Sequence, residues 1–207
     1  TNPQNPTGTN IAKEEFDSVL NILPEDVLLV MDEAYYEYFM PDERIETVDY
    51  IAGRDNLMIL RTFSKIFCLA GLRIGYGIGS AGTIKALNKV RLPFNVNLIA
   101  QKAAVYALDY QDNAAEIRDR IYKQKQIYYN VLEKNGISFI KSYANFILIK
   151  TGSDDGPVVE ELLKKGFIVR PGKNLGFAGY IRVTIATDEV NTRFLEVFTE
   201  ICKNCTK

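Results

Sequence analysis

Apolar residues recur along this chain in two rhythms. From residue 13 to 23, Phe16, Val19, Leu20 and Leu23 fall at i, i+3, i+4 and i+7. That spacing makes one face of a helix, and Pro24 stops it. Residues 27–31 form instead an unbroken apolar run closing in Asp32, the pattern of a strand buried on both faces. A polar loop with a short helix leads to a second run, 57–60, which continues into Arg61-Thr62-Phe63-Ser64-Lys65. A third strand is expected over 72–78 and a helix over 83–91. Strands alternating with helices predict an α/β sheet domain.

Pro93, Asn95 and Asn97 interrupt this alternation. Two helices are expected beyond them, at 98–110 and 113–134. The second is long and charged along one side, and Asn135-Gly136 supplies its stop. Strands are expected at 138–140, 145–149, 167–170 and 180–185, with a helix at 158–165 ending at Gly166. A last helix should start from Asp188 as its N-cap. The organisation predicted is a partial large domain over 1–110, then a linking helix and a small α+β domain over 111–207. Neither repeats nor low-complexity stretches occur.

Composition narrows the chemistry. Of 207 residues, 47% are hydrophobic and 25% charged, an ordinary globular balance with room for one large domain or two modest ones. A net charge of -1 gives no reason to expect nucleic acid or an anionic membrane as partner. No apolar run approaches the roughly 20 residues that span a bilayer, and the start lacks a secretory signal pattern. The three cysteines, Cys68, Cys202 and Cys205, do not make a disulfide framework, which favours a reducing cytoplasm. Cys202 and Cys205 have C-x-x-C spacing but no second pair, so no metal is expected there. Histidine is absent, which excludes Ser-His-Asp and Cys-His mechanisms and leaves acid–base work to Lys, Tyr, Asp or Glu. The opening T-N-P-Q-N-P-T-G is turn chemistry that normally follows a strand, and Thr1 is not an initiator. An upstream segment is therefore expected.

Two residues stand at predicted strand ends. Asp32 closes one run and Lys65 follows the next, at the edge where open α/β sheets bind ligands. A lysine in a partly dry pocket loses its preference for the charged form and becomes a nucleophilic amine. Each alone also reads as a solvated loop residue. Gly75, Gly77 and Gly79 do not compose G-x-G-x-x-G opening a helix, so a dinucleotide loop is weakly supported. Asn5, between two prolines, is either a turn residue or a rigidly presented amide.

Taken in order, N-P-Q-N-P-T-G, D-E-A-Y-Y-E-Y-F, R-T-F-S-K-I-F-C-L-A-G-L-R-I-G-Y and P-F-N-V-N resemble the fold-type I aminotransferases of class I/II. The stretches Y-A-N-F-I-L-I-K, I-V-R-P-G and Y-I-R-V-T-I-A-T resemble the histidinol-phosphate branch of that family. The resemblance covers essentially the whole chain. It implies pyridoxal 5′-phosphate as cofactor, with Lys65 forming the internal Schiff base and then moving the proton between Cα and C4′. Asp32 would pair with the pyridine nitrogen and keep it protonated, so that the ring acts as an electron sink. Tyr35 and Asn5 would hydrogen-bond the phenolic oxygen. Thr62, Ser64 and Arg73 would hold the phosphate. Arg182 would grip a substrate carboxylate bidentately, Arg170 the distal anionic group, and Asn145 would lie near the substrate.

The reaction so implied is amino transfer between histidinol phosphate and 2-oxoglutarate, with glutamate as counterpart, in histidine biosynthesis. It is expected of a cytoplasmic homodimer with composite active sites. Family parts that come from upstream, an aromatic stacking on the ring and a helix N-terminus at the phosphate, are not in this sequence. Weak cofactor binding and negligible turnover by this chain alone are therefore expected. Similar-looking alternatives are an aromatic or aspartate-type aminotransferase and a threonine-phosphate decarboxylase. An aminotransferase-like sensing domain of a transcription regulator is another, although no basic helix-turn-helix is present.

Overall fold

The computed structural model describes residues 1–152 and 154–205, apart from the side chains of Gln111, Asn204 and Cys205. Contacts divide the chain into two units, one of residues 1–3 and 10–118, the other of residues 4–9 and 119–207. Helices and strands mix in both, which is the α/β class expected.

In the first unit, α1 (Lys13–Ile22) begins where the Glu15 carboxylate accepts the Ala12 N–H at 2.9 Å, satisfying a donor the helix leaves free. Its apolar stripe buries Phe16 and Leu20 against Met31, Ile45, Leu57 and Ile59. Met31 lies on β1 (Leu29–Asp32), and Leu57 and Ile59 lie on β2 (Leu57–Thr62), which pairs parallel to β1 with Asp32 opposite Leu60. β3 (Gly75–Gly79) runs antiparallel on the far side of β2, with Gly75 opposite Thr62. The sheet order is β1-β2-β3.

Two expectations need correction here. The run at 27–31 is not a strand buried on both faces. Only Leu29–Asp32 pairs, and Val27, Leu28 and Val30 are each more than 40% exposed. One face of the sheet is packed on α1; the described residues leave the other largely uncovered. The third strand starts at Gly75 rather than at residue 72. Ala70–Leu72 forms a 3-10 turn and Arg73 adopts φ 54°, a left-handed conformation no strand can accommodate.

Side-chain caps set the next helices. Ser80 Oγ accepts the Thr83 N–H at 3.2 Å to open α2 (Ala81–Val90), and Asn97 Oδ1 accepts the Ala100 N–H at 2.8 Å to open α3 (Leu98–Leu108). The helix α4 (Gln111–Lys134) follows. It ends as its Asn-Gly pair predicts: Gly136 takes φ 66°, its N–H reaches Glu133 O, and the Ile137 N–H reaches Leu132 O.

The second unit contains β4 (Phe139–Ile140), β5 (Phe146–Lys150), α5 (Gly156–Lys164), β6 (Arg170–Pro171), β7 (Tyr180–Thr184) and α6 (Asp188–Cys205). All strand pairs are antiparallel in the order β4-β5-β7-β6. Its core runs through β5, where Phe146 to Ile149 are buried, to Leu162 of α5 and Phe194 and Phe198 of α6. Asp188 is the first residue of its helix, not the cap before it. β6 is shorter than the expected 167–170, because the Phe167 N–H bonds Leu162 O to close α5 and is withdrawn from the sheet.

Candidate active site

The polar residues singled out in the sequence fall into two groups, one in each unit. In the first, parallel pairing brings the carboxyl ends of β1 and β2 to one edge. Asp32 is the last residue of β1, and its Oδ1 accepts the Ala34 N–H at 3.0 Å. β2 runs two positions further to Thr62 and turns through Phe63 and Ser64 to Lys65. The turn is held by the Thr62 hydroxyl, which donates to Ile74 O at 3.3 Å and accepts the Ser64 N–H at 3.0 Å. The Cys68 N–H then closes on Lys65 O at 2.9 Å.

Lys65 Nζ lies 5.0 Å from the centroid of the Tyr35 ring, within cation–π range. Tyr35 is buried, while Asp32 and Lys65 are half-buried. Since Gly75 is level with Thr62, the connection carrying Arg73 sits at the same edge. Its guanidinium is exposed and donates to Ala70 O at 2.7 Å. Asp32, Tyr35, Thr62, Ser64, Lys65 and Arg73 therefore belong to one end of one sheet.

The second unit gathers the rest. Arg182 Nη1 donates to Asn5 Oδ1, and its guanidinium carbon lies 5.0 Å from the centre of the Phe146 ring. Arg182 Nε is buried without a hydrogen-bond partner. Arg170 on β6 is the direct cross-strand neighbour of Arg182 on β7, so two guanidinium stems share one face at close range. Asn5 is delivered by a turn whose Gly8, at φ 76°, accepts the Tyr143 N–H at 2.8 Å. A Cβ at Gly8 would meet Ser142 Oγ at 2.0 Å, so only glycine fits. Asn145 lies just before β5, its carbonyl accepting the Ile185 N–H at 2.9 Å.

A third group escaped the sequence reading. Glu33, almost wholly buried, receives Arg61 Nε at 2.9 Å and the Thr47 hydroxyl. The Arg61 guanidinium carbon lies 3.6 Å from the centre of the Tyr36 ring, and Tyr36 in turn donates to Glu46. Burial pushes the Glu33 carboxyl up, although Thr47 and Arg61 oppose it. Burial also pushes Glu37 up to about 7, and its Oε2 is enclosed without a hydrogen-bond partner. The available signal was strand alternation: Leu57, Ile59 and Arg61 project from one face of β2, so Arg61 had to be buried or paired.

Other features carry less. The glycines of β3 are packing devices, since a Cβ at Gly75 would approach Arg61 O to 2.6 Å and one at Gly77 would approach Met58 Cε to 2.4 Å. Tyr36, Tyr38 and Phe39 are buried. Cys202 is half-buried, and the Cys205 side chain lies outside the described residues. Among the described residues no group of three metal-binding side chains occurs, and no helix is long and apolar enough to cross a membrane.

The family model for aminotransferase class I and II matches residues 1–198. A histidinol-phosphate aminotransferase of Geobacillus sp. (strain WCH70) is 45% identical over 205 residues, 98% of this chain and 55% of the relative. One from Brevibacillus brevis is 44% identical, over 100% of this chain and 57% of its own. The chain thus spans little more than half the length of these curated relatives. The crystal structure of histidinol-phosphate aminotransferase from Sinorhizobium meliloti in complex with pyridoxal-5′-phosphate superposes with a TM-score of 0.89 at 30% identity. That match covers 99% of this chain and 56% of the other.

Proposed function

The chain belongs to the class I and II aminotransferase family, and from that premise we propose that the protein transfers an amino group between histidinol phosphate and 2-oxoglutarate, using pyridoxal 5′-phosphate, as a step of histidine biosynthesis. The observation that carries this reading is the shared edge of β1 and β2, where Asp32 ends one strand and Lys65 follows the other. The names of the similar proteins support the choice of substrate.

The donor set at that edge suits the cofactor. It offers one carboxylate for a ring nitrogen, one primary amine for an aldehyde, and two hydroxyls and a guanidinium for a phosphate. When bound, pyridoxal phosphate supplies a sink for the electron pair left at a substrate α-carbon. Asp32 would face the ring nitrogen and favour its protonated form, because an adjacent carboxylate favours the charged form. Lys65 would supply the amine that holds the aldehyde carbon, and its Nζ would take up the α-proton of the substrate. Tyr35 would donate to the phenolic oxygen, a role the family resemblance gives to Asn5 as well; with Asn5 Oδ1 taken by Arg182, its Nδ2 is the atom left to donate.

Arg182 and Arg170 bind the anionic ends of the substrates. Like charges directly opposite on neighbouring strands repel, and a carboxylate or phosphate between them relieves that repulsion. Asn145 borders the substrate. The family resemblance supports a cytoplasmic homodimer.

The test is to incubate the chain with pyridoxal phosphate, reduce with borohydride, and map the adduct by mass spectrometry, with a parallel assay of histidinol-phosphate-dependent glutamate formation. An adduct at Lys65 of this chain is the expected result, with turnover only from a polypeptide of the relatives' full length. Modification spread over surface lysines with none favoured at Lys65 would remove the proposal, and carbon dioxide release from threonine phosphate by the longer polypeptide would redirect it to a decarboxylase.

A further inference from the structure

We propose that Glu33, Arg61 and Tyr36 act as a positioning device that fixes the spacing of the Asp32 and Lys65 strand ends. This rests on the cofactor reading above for its purpose, but not for its physical content. The three residues touch one another: Arg61 Nε bonds Glu33 Oε2 at 2.9 Å while its guanidinium carbon lies 3.6 Å from the centre of the Tyr36 ring. Each is also the chain neighbour of a residue of the candidate site. Glu33 follows Asp32, Tyr36 follows Tyr35, and Arg61 precedes Thr62.

Adjacent residues of an extended strand point to opposite faces. Arg61 shares the packed face of β2 with Leu57 and Ile59, both wholly buried, so Thr62 projects from the other face. The same alternation sets Met31 and Glu33 against Asp32. A clamp on the packed side thus sets the aim of side chains on the open side without touching what binds there. The clamp sits at the last rung of the parallel pair, where the Glu33 N–H reaches Leu60 O at 2.8 Å. Beyond it no further rung between β1 and β2 holds the two ends together.

Stability alone does not account for this arrangement. A buried ion pair is commonly replaced by apolar residues of similar size with no loss of stability. What apolar residues do not reproduce is direction: one charged hydrogen bond and one stacked ring fix the guanidinium along two axes. Arg61 Nη2 is buried without a partner, a cost that a simple core position would not carry.

The experiment compares the chain with the double variant Glu33→Leu/Arg61→Met and with Arg61→Lys, which keeps charge but loses the fork and the stacking. Amide hydrogen exchange is read at residue 33, Phe63 and Ser64, near the clamped end. The control is Leu29, whose N–H bonds Asn56 O at 2.8 Å at the opposite end of the same strands. The expected result is exchange about tenfold faster at the clamped end, with Leu29 and the thermal midpoint nearly unchanged. Pyridoxal phosphate affinity, measured by fluorescence titration, should fall about tenfold in the same variants.

Exchange that rises evenly at both ends would make the pair an ordinary stability element, and exchange unchanged at both would remove its role altogether. If the double variant fails to fold, Arg61→Lys decides by the same amides. Should the unaltered chain bind no pyridoxal phosphate, the cofactor reading falls while the exchange pattern still judges the clamp.

Discussion

Asn5 and Arg182, 177 positions apart in sequence, meet through a hydrogen bond from Arg182 Nη1 to Asn5 Oδ1. One oxygen therefore orients a guanidinium whose Nε is already enclosed without a partner. Replacing Asn5 by Asp would turn this contact into an ion pair and make Arg182 a poorer receptor for other anions. In a polypeptide of the relatives' full length the Michaelis constant for glutamate should rise about tenfold, equivalent to roughly 1.4 kcal/mol, while the thermal midpoint holds or increases. Steady-state kinetics with thermal melts check this, and an unchanged Michaelis constant would contradict it.

Arg170 and Arg182 face each other across β6 and β7. Removing one of two like charges should be nearly neutral or stabilising by up to ~1 kcal/mol in the unliganded chain. Arg170→Ala is expected to melt no lower than the parent, yet to lose most of the stabilisation that added inorganic phosphate gives the parent. Differential scanning fluorimetry with and without phosphate reads both effects together.

Glu37 makes stability depend on pH. Burial raises its carboxyl to about 7 in the folded chain from the ordinary 4.5. Between those values the folded state holds a proton that the unfolded state has released. Stability is therefore greatest below 4.5 on this account, and falls as pH rises through 7, by on the order of 3 kcal/mol. Glu33 shifts in the same direction. Glu37→Gln should flatten the decline, stabilising the chain relative to the parent more at pH 8 than at pH 5. Denaturant melts of both proteins at the two pH values measure the difference.

Lys65 lies in a turn at the sheet edge and is only half-buried. Lys65→Ala should leave the unfolding free energy within about 0.5 kcal/mol of the parent, while abolishing covalent retention of pyridoxal phosphate after borohydride reduction. Intact-mass measurement decides it. An adduct of undiminished yield would show that another amine carries the chemistry.

Much of this was legible in the sequence because strong local signals agreed. The stripe of Phe16 and Leu20, the Asn97 cap and the Asn135-Gly136 stop each impose their structure within a few residues. Where the reading slipped, a longer-range demand prevailed. Phe167 is apolar and strand-like, but its N–H completes the stop of α5. Residues 27 and 28 are apolar enough for a strand, yet pairing with β2 begins only at Leu29. Asp32 and Lys65 could be seen as strand-end residues because each follows an apolar run. The Glu33–Arg61–Tyr36 contact could not, because its members come from two separate stretches, 33–36 and residue 61, and only the parallel register brings them together.

Residues 4–9 are grouped with a unit whose remaining members begin at 119. Their bonds, Asn5 to Arg182 and Gly8 to Tyr143, make the opening turn a part of the later fold rather than a leader to the earlier one. Dissection of the polypeptide by cutting near residue 118 would accordingly not yield two self-sufficient halves. The carboxyl-terminal piece would carry an arginine and an amide stripped of their acceptors, and adding back a peptide of the first nine residues should tighten it.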